Sequence, residues 1–287
     1  MELLDKLINP VNKILIVGAH PDDVEFSTGR VILRRKGKNI FSICMTDGRK
    51  GQEGTPVKKI ISEDDYAKLR VKESTRALKE FNINLNNMFF MGCPDQDLVS
   101  NPYIIDKLFM LIRKINPDFV LIPPWEGAHP DHDATHLFMR VALQNFNFPK
   151  EKTIEYGSYN NFRGKFNIQE FIPKNTKNNN FIPTPNEQKR WNNIMRTFKS
   201  QINQQKYYIP MSKSENYRFL PDYDYKKLPY ESKQSEIIRQ IINPIYPVVK
   251  KILPKKDKLF YETWESNINP NTIKRKLNLY VEHYGIQ

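Results

Sequence analysis

The sequence predicts an α/β fold built on a mostly parallel sheet, and two observations favour this class. Short apolar runs rich in β-branched residues recur along the first half of the chain, each as long as a buried parallel strand. Longer segments between these runs carry apolar residues at helical spacing. Strands and helices that alternate in this way are typical of βαβ units, in which helices cover a parallel sheet.

Four strands are predicted in the first half of the chain, at residues 13–18, 39–45, 88–91 and 118–122. Helices are predicted at residues 28–36, 64–81 and 103–115, and from the segment 129–132 to Asn145. Gly37 and Pro117 end the first and third helices, because glycine favours a helix end and proline cannot continue a helix. Residues 49–59 are polar and contain glycine, which predicts a mobile loop that could act as a lid.

The composition of the chain changes after Pro149. The second half is predicted to contain a strand at residues 153–159, a loop at 160–180 and a helix at 187–205. From residue 221 the chain is rich in tyrosine, lysine and proline, with helical pieces at 231–242 and 271–283. We therefore divide the 287 residues into a domain of residues 1–220 and an extension of residues 221–287 that is expected to pack against this domain.

The cysteine content and the apolar runs indicate the compartment. Cys44 and Cys93 are too few for a disulfide framework or a thiolate zinc site, and they fit a reducing environment. Residues 1–6 contain acids where a signal peptide needs basic and then apolar residues. No apolar run is long enough to span a bilayer. Together these features predict a cytoplasmic protein without a membrane span.

A cluster of histidine and acids follows the first predicted strand, in the segment 19–25 (Ala-His-Pro-Asp-Asp-Val-Glu). In open α/β sheets, ligands bind outside the carboxyl ends of the strands, which is where this cluster lies. Asp22 and Asp23 are neighbours and cannot point the same way, so one can bind a metal while the other faces a substrate. Acids in a first helical turn would also complement the helix dipole, but that alternative leaves His20 unexplained. The composition is that of a catalytic zinc site with its general base.

A second cluster, His-Pro-Asp-His at residues 129–132, follows the fourth predicted strand. His132 in the first turn of a helix can project towards the first cluster, which gives two histidines and one carboxylate for a catalytic zinc. An alternative pairs His132 with His136, four residues apart on one helix face, as in some metalloproteases. That motif needs glutamate after its first histidine, and Asp133 stands there. We therefore take His132 as the ligand and His136 as a residue that packs in the core or supports a ligand.

These two motifs resemble the signature motifs of the LmbE/PIG-L family, whose members are zinc-dependent deacetylases of N-acetylglucosamine derivatives. The family fold is a Rossmann-like three-layer α/β sandwich, so we expect this fold here. Weaker similarities continue as far as Leu220, at residues 46–48, 70–73, 94–98, 198–201 and 215–218. Three residues depart from the family pattern: Arg30 in a segment that is usually glycine-rich, Gln96 in place of glycine, and Phe198 where histidine is usual.

The resemblance implies a metal site and a set of acid and base groups. His20, Asp23 and His132 would bind Zn²⁺ or another divalent transition metal, and Asp22 would be the general base. Zinc lowers the pKa of its bound water to about 7, which supplies the nucleophile that amide hydrolysis needs.

The resemblance also implies roles around the substrate. His129 would polarise the amide or protonate the leaving amine, and Asp131 would orient His129. A protonated His129 could share with zinc the stabilisation of the tetrahedral oxyanion. Arg70 and Asp95 would contact sugar hydroxyls.

The sequence therefore predicts a zinc-dependent N-deacetylase that hydrolyses the N-acetyl amide of an N-acetylglucosamine-type sugar and releases acetate and the free amine. One alternative is an amidase that acts on another sugar conjugate. Another is a basic protein that binds nucleic acid or another anionic polymer through a vestigial site, and a third is a scaffold role for residues 221–287. The complete set of metal and acid/base candidates argues against a vestigial site, so no nucleic-acid partner is expected. The oligomeric state stays open, with a homo-oligomer among the options.

The charge balance adds an expectation about the substrate. The formal net charge is +13, from 45 lysines and arginines against 32 aspartates and glutamates. Arg30, Arg49, Lys50 and Arg70 follow or belong to the motifs, so we expect them near the site. A cleft lined by positive charge attracts anionic molecules, which predicts an anionic substrate such as a phosphate-linked sugar.

Overall fold

The computed structural model describes residues 2–52, 61–126, 129–160, 166–172 and 177–225. Most of the predicted loop at 49–59 and both helical pieces predicted at 231–242 and 271–283 lie outside these residues. In the described part of the chain, no helix combines the length and the apolar character needed to cross a membrane.

The strands confirm the predicted order in the first half of the chain. They are β1 (Ile14–Gly18), β2 (Ile40–Thr46), β3 (Met88–Cys93), β4 (Phe119–Ile122), β5 (Thr153–Tyr156), β6 (Tyr159–Asn160), β7 (Asn167–Ile168), β8 (Asn179–Phe181) and β9 (Glu215–Phe219). The helices are α1 (Leu3–Ile8), α2 (Asp23–Arg35), α3 (Glu63–Glu80), α4 (Ile104–Ile115), α5 (Pro130–Asn145), α6 (Pro185–Met195) and α7 (Ile202–Met211).

Seven strands form one sheet in the order β3-β2-β1-β4-β5-β9-β8. The first five run parallel, whereas β9 pairs antiparallel with β5 and β8 pairs antiparallel with β9. The chain places β2 and β3 on one side of β1 and then returns to place β4 on the other side. This change of direction opens a crevice at the carboxyl ends of β1 and β4, and open α/β sheets bind ligands at such a point.

Two apolar cores cover the two faces of the sheet. Side chains alternate along a strand, so Leu15 and Val17 of β1 join the core beneath α4 and α5. Ile14 and Ile16 point the other way and join the core formed with α2, α3 and α6. The sheet between two helical layers is the predicted three-layer α/β sandwich.

Two predicted helices differ from those in the structure. Helix α2 begins at Asp23 rather than at residue 28, because the backbone N–H groups of Asp22 and Asp23 both donate to the carbonyl of His20 and turn the chain directly into the helix. The helix predicted at 187–205 is two helices, α6 and α7. The carboxylate of Glu73 accepts the N–H of Lys199 and so holds the turn between them, a contact that local periodicity cannot reveal.

Other differences come from long-range pairing. The predicted loop at 160–180 contains β7 and β8 in its described part, and β9 and α1 were not predicted. β8 and β9 are short and polar, and they are strands because they extend the edge of an existing sheet. Tyr223 and Tyr225, which the prediction placed in the extension, have partly or fully buried side chains in contact with the core beneath α4 and α5.

Candidate metal centre

The crevice between β1 and β4 brings the two predicted clusters together. The first cluster follows β1 and enters α2, and the second follows β4 and enters α5. His129 ends the loop before α5, where its Nδ1 accepts the backbone N–H of Asp131 at 3.2 Å and caps the helix. Because β1 and β4 are parallel neighbours, both clusters lie at the same edge of the sheet.

The side chains of His20, Asp23 and His132 form a group that could hold a metal ion. Asp23 Oδ2 lies 3.5 Å from His20 Nδ1 and 3.3 Å from His132 Nε2. Two ligands that each lie about 2.1 Å from a tetrahedral zinc are about 3.4 Å apart, so these separations fit a shared ion. His132 is 3% exposed, and its Nε2 has no hydrogen-bond partner among the described residues. A buried nitrogen without a partner is costly, and a metal would satisfy it.

A second group shares His20 and adds Asp95, His129 and Asp131. His20 Nε2 lies 3.1 Å from Asp95 Oδ1 and 3.3 Å from Asp131 Oδ2. Both carboxylates already accept backbone N–H groups, Asp95 from Lys50 and Asp131 from Gln96. They are therefore suited to hold the far nitrogen of His20, as carboxylates commonly do for histidines that bind metals.

The electrostatics of this cluster favour a cation. Burial opposes a positive charge on His20, but the neighbouring carboxylates of Asp95, Asp131 and Asp23 raise its pKa well above the usual value. Burial likewise raises the pKa of Asp23, but His132 and His20 outweigh it and hold this pKa well below the usual range. A site that stabilises a protonated histidine among carboxylates would stabilise a divalent metal in its place.

Asp22 lies beside this group and has a different partner. Its Oδ2 accepts a hydrogen bond from Arg70 Nη2 at 2.8 Å, and its side chain is 14% exposed against 8% for Asp23. Burial raises the pKa of Asp22, although Arg70 opposes this shift. A carboxylate that is held in place and whose pKa is raised suits a general base.

Arg70 and Asp95, which the resemblance assigned to sugar hydroxyls, hold protein groups here. Arg70 donates to Asp22 and, through Nη1, to the carbonyl of Gly48 at 2.9 Å. Asp95 contacts His20. The backbone of Gly48 has a positive φ of 68°, and a Cβ added there would lie 2.5 Å from Arg70 Nη1. Glycine therefore lets the turn after β2 approach the guanidinium closely.

The contacts of His129 and Asp131 differ from the implied roles. The carboxylate of Asp131 contacts His20, and only its backbone N–H reaches His129. Burial and the nearby His20 and His132 hold the pKa of His129 well below its usual value. His129 is therefore neutral rather than protonated, and because Nδ1 accepts a hydrogen bond, its proton is on Nε2.

The four basic residues expected near the site all have acidic partners. Arg30 is fully buried and pairs with Glu215, which places its charge in the interior instead of a cleft. The other three pairs are Arg49 with Asp47 and Asp64, Lys50 with Glu63, and Arg70 with Asp22. These pairs show that none of the four residues offers an unpaired charge, and the expectation of an anionic substrate stays a prediction.

The remaining departures from the family pattern also have structural explanations. Gln96 adopts a positive φ of 68°, the conformation that glycine favours, and its N–H donates to Asp131 at 2.6 Å. Phe198 is fully buried, and its ring centroid lies 5.6 Å from that of Phe26. Neither side chain is needed as a metal ligand.

Sequence reasoning missed one residue at the centre. The ring of Tyr159 lies 5.3 Å from that of His132, centroid to centroid, in an edge-to-face arrangement. Tyr159 was predicted only as the end of a strand. Its position after the carboxyl end of a predicted parallel strand is the signal that could have identified it.

Comparison with known proteins agrees with these motifs. Residues 15–143 match the PIG-L family, described as GlcNAc-PI de-N-acetylase. The chain is 28% identical over 125 residues to the probable N-acetyl-alpha-D-glucosaminyl L-malate deacetylase 2 of Bacillus subtilis (strain 168), which covers 42% of this chain and 56% of that protein. It is 29% identical over 135 residues to the diacetylchitobiose deacetylase of Thermococcus kodakarensis, which covers 45% of this chain and 48% of that protein. The chain thus spans about half the length of these relatives.

Solved structures share the fold. The N,N'-diacetylchitobiose deacetylase from Pyrococcus horikoshii has a TM-score of 0.56 at 21% identity, over 77% of this chain and 89% of that chain. The 4-carboxy-2-hydroxymuconate hydratase GalB from Pseudomonas putida KT2440 has a TM-score of 0.55 at 15% identity, over 74% of this chain and 98% of that chain. Since a deacetylase and a hydratase share this fold, the fold alone does not determine the reaction.

Proposed function

We propose that this protein, whose residues 15–143 match the PIG-L family, is a metal-dependent hydrolase that removes the N-acetyl group from an N-acetylglucosamine-type sugar or sugar conjugate. The products are acetate and the free amine. The observation that carries the proposal is the group of His20, Asp23 and His132 with Asp22 beside it. The two named relatives are described as a probable N-acetyl-alpha-D-glucosaminyl L-malate deacetylase and a diacetylchitobiose deacetylase, and these descriptions support the same substrate class.

The proposed ligands are His20, Asp23 and His132, and their two nitrogens and one oxygen suit Zn²⁺ or another divalent transition metal. When bound, such a metal supplies an activated water and polarises the amide carbonyl. Asp95 and Asp131 fix the ring of His20 from its other nitrogen, which sets the direction of Nδ1.

Asp22 is the proposed general base. Arg70 Nη2 donates a hydrogen bond to Oδ2 of the Asp22 carboxylate at 2.8 Å. The other oxygen of Asp22 can then take a proton from the attacking water. The same carboxyl can then return the proton to the leaving amine. Arg70 in this account positions Asp22 and does not bind the sugar.

His129 is the proposed donor to the oxyanion. Its Nδ1 accepts the N–H of Asp131, so Nε2 carries the proton and can donate it as a hydrogen bond. A neutral donor fixed before the reaction stabilises the negative charge that develops on the amide oxygen. This role replaces that of the protonated histidine expected from the resemblance.

The test is acetate release by the purified protein after metal removal and reconstitution with Zn²⁺. The substrates are free, nucleotide-linked, lipid-linked and oligomeric N-acetyl sugars. We expect acetate and a free amine in equal amounts from at least one of them, and no release by the metal-free protein. Failure of the reconstituted protein on all four classes would overturn the proposal. The cytoplasmic location expected from the sequence stays a prediction, to be tested by fractionation.

A further inference from the structure

A short turn after β2, residues 48–51, lies against the guanidinium of Arg70. We call these four residues the β2 turn. The carbonyl of Gly48 accepts a hydrogen bond from Arg70 Nη1 at 2.9 Å. A Cβ added to Gly48 or Gly51 would lie only 2.5 Å or 2.7 Å from Arg70 Nη1, so glycine at both positions allows this close approach. Because Arg70 Nη2 donates to Asp22, a shift of the β2 turn would also move the proposed base.

The β2 turn also contacts the residue that holds a proposed metal ligand. The backbone N–H of Lys50 donates to Asp95 Oδ2 at 3.0 Å. Asp47, just before the turn, accepts the backbone N–H groups of both Arg49 and Asp95 on its Oδ1, at 3.1 Å and 3.3 Å. The other oxygen of Asp95, Oδ1, lies 3.1 Å from His20 Nε2. The position of the β2 turn therefore affects His20 through Asp95, as it affects Asp22 through Arg70.

A fully buried tyrosine of α3 holds the far end of this turn. The hydroxyl of Tyr66 lies between the carbonyl oxygens of Gly51 and Ser200, at 2.9 Å and 3.0 Å, and can donate to either. Tyr66 and Arg70 are four residues apart in α3, so their side chains lie on the same face of the helix. The β2 turn is thus fixed to α3 at two carbonyls, that of Gly48 by Arg70 and that of Gly51 by Tyr66.

The segment before α7 fixes the Tyr66 hydroxyl in turn. Gln201 Nε2 donates to this hydroxyl at 3.0 Å. The neighbouring Ser200 is held by Glu73, whose Oε2 accepts the backbone N–H of Ser200 at 3.2 Å and its hydroxyl at 2.6 Å. Ser200, Gln201 and Glu73 are all buried, and a buried network whose members are hydrogen-bonded is rigid. Residues 198–201 have no role in the proposed chemistry, and these contacts give them one.

We propose that Tyr66, held by Gln201, is a positioning residue that fixes the β2 turn and through it both the proposed base Asp22 and the proposed metal ligand His20. The proposal rests on the proposed function and adds to it a single structural element on which the base and the metal ligand both depend. It follows that removal of one buried hydroxyl, which touches neither group directly, lowers both the metal affinity and the rate of the reaction.

The experiment compares the wild type with Tyr66→Phe, Gln201→Met and the control Tyr217→Phe. Tyr217 is also fully buried, and its hydroxyl donates to Glu215 at 2.8 Å. It belongs to β9, which β1, β4 and β5 separate from β2 in the sheet, so its loss removes a comparable hydrogen bond away from the β2 turn. Zinc affinity is measured by competition with a chelating dye. Values of kcat and KM are measured at saturating zinc on an N-acetyl sugar that the wild type deacetylates, and thermal unfolding compares the stabilities.

We expect Tyr66→Phe to lower the zinc affinity by about threefold to tenfold, because it acts one contact beyond a ligand's direct partner, whose loss typically costs about 10–100-fold. A catalytic group displaced by about 1 Å can cost about 100-fold, so kcat should fall by about tenfold or more. KM should stay unchanged, because Tyr66 is buried and does not bind the sugar. Gln201→Met should change both quantities in the same direction but less. Tyr217→Phe should lose a similar amount of stability and keep the zinc affinity and kcat of the wild type.

Equal losses in Tyr66→Phe and Tyr217→Phe would overturn the proposal, since they would reflect stability alone. A lower kcat with unchanged zinc affinity would also overturn it, because the turn would then serve Asp22 and not His20. The zinc measurement separates this proposal from the proposed function, since it needs no substrate. If the wild type deacetylates no sugar, the proposed reaction fails, and the zinc affinity of Tyr66→Phe still decides the positioning role. If the wild type is active and Tyr66→Phe matches it in both quantities, the positioning role fails alone.

Discussion

Asp22 and Asp23 are adjacent in the chain, yet their side chains meet different partners. Asp23 is the first residue of α2 and lies against both histidines of the candidate metal group. Asp22 precedes the helix, and its carboxylate faces Arg70. The turn that starts the helix separates the two carboxylates, so one can bind a metal while the other accepts and donates a proton.

This separation predicts opposite effects of the same substitution at the two positions. Asp22→Asn should retain zinc and lose activity by a factor of about 10² to 10⁴, the usual contribution of a general base. Asp23→Asn should lose zinc, because its oxygen lies between the two histidine nitrogens. Zinc per chain after dialysis and the rate of acetate release are the measurements. Loss of zinc in Asp22→Asn and retention in Asp23→Asn would reverse the two roles.

Gly48 and Gly92 give a second matched pair. Both have a φ of 68°, but a Cβ at Gly48 would lie 2.5 Å from Arg70 Nη1, whereas a Cβ at Gly92 would have nothing within 4 Å. Alanine at either position strains the backbone and costs stability of about 1 kcal/mol. Only Gly48→Ala should also displace Arg70, and with it Asp22, so we expect a lower kcat in Gly48→Ala alone. Equal kcat values in the two variants would contradict the positioning role of Arg70.

At the scale of elements, buried Arg30 joins α2 to β9. Its guanidinium pairs with Glu215 and lies 3.6 Å from the ring centroid of Trp191. Glu215 also accepts the backbone N–H groups of Arg30 and Val31, at 2.7 Å and 3.0 Å. The residue that departs from the family pattern after the first motif thus holds the antiparallel edge of the sheet onto the helix.

Removing Arg30 should therefore destabilise the fold without changing substrate binding. Arg30→Met leaves Glu215 buried without its cation, which typically costs about 3–5 kcal/mol of the free energy of unfolding. The control is Arg34→Met, one turn further along α2. Arg34 pairs with Glu187 at the surface with 34% of its side chain exposed. Such a pair contributes about 0.2–1 kcal/mol.

Urea denaturation measures both stabilities, and KM is measured at a temperature where each variant is folded. A raised KM in Arg30→Met with unchanged stability would show that Arg30 contacts substrate after all.

At the scale of the whole molecule, a buried polar network ties the C-terminal end of the described chain to the loop that carries the second motif. Arg218 of β9 donates to Glu155 of β5 at 2.6 Å, and Tyr223 donates to the same carboxylate at 2.8 Å. The hydroxyl oxygen of Tyr225 lies 2.9 Å from His136 Nε2. The other ring nitrogen of His136, Nδ1, lies 2.9 Å from the carbonyl oxygen of Pro123. Tyr223 and Tyr225 therefore pack against the rest of the described chain and support the segment before α5.

Glu126, at the end of the described segment after β4, is expected to make the stability of the fold depend on pH. Burial raises its pKa from 4.5 to about 8, and Glu155 acts in the same direction, while the N–H of Ile172 and the charge of Arg218 oppose the shift. The folded protein therefore holds a proton that the unfolded chain releases. The free energy of unfolding should fall as pH rises from 4.5 to about 8 and then level off.

The free energy of unfolding of Glu126→Gln should not fall in this way as pH rises. Between pH 6.5 and 8, the wild type should lose up to about 2 kcal/mol relative to the variant, since each pH unit is worth about 1.4 kcal/mol. Burial lowers the pKa of His136 from 6.5 to about 3, so His136 reduces stability only below pH 6.5 and does not disturb this window. Urea denaturation of both proteins at the two pH values is the measurement. A difference between them that stays constant with pH would contradict a protonated Glu126.

The sequence predicted the parallel half of the sheet and the location of the metal-binding motifs. Both signals are local: strands show as contiguous apolar runs, and His20, Asp23 and His132 immediately follow two of those strands. Parallel strands align their carboxyl ends, so residues 112 positions apart could be predicted to meet. The assignment of zinc to these residues stays a prediction.

The partners of the charged residues were decided by the tertiary structure. Arg30 and Glu215 are 185 residues apart, and His20 and Asp95 are 75 apart, so no local pattern relates them. The roles expected for Arg30, Arg70 and Asp95 depended on those partners, and the edge strand β9 depended on the sheet that it joins. A side chain's residue type and its neighbours in the chain define what chemistry it can perform. Which group it pairs with, and whether its charge faces a cleft or the interior, depends on the packing of distant segments.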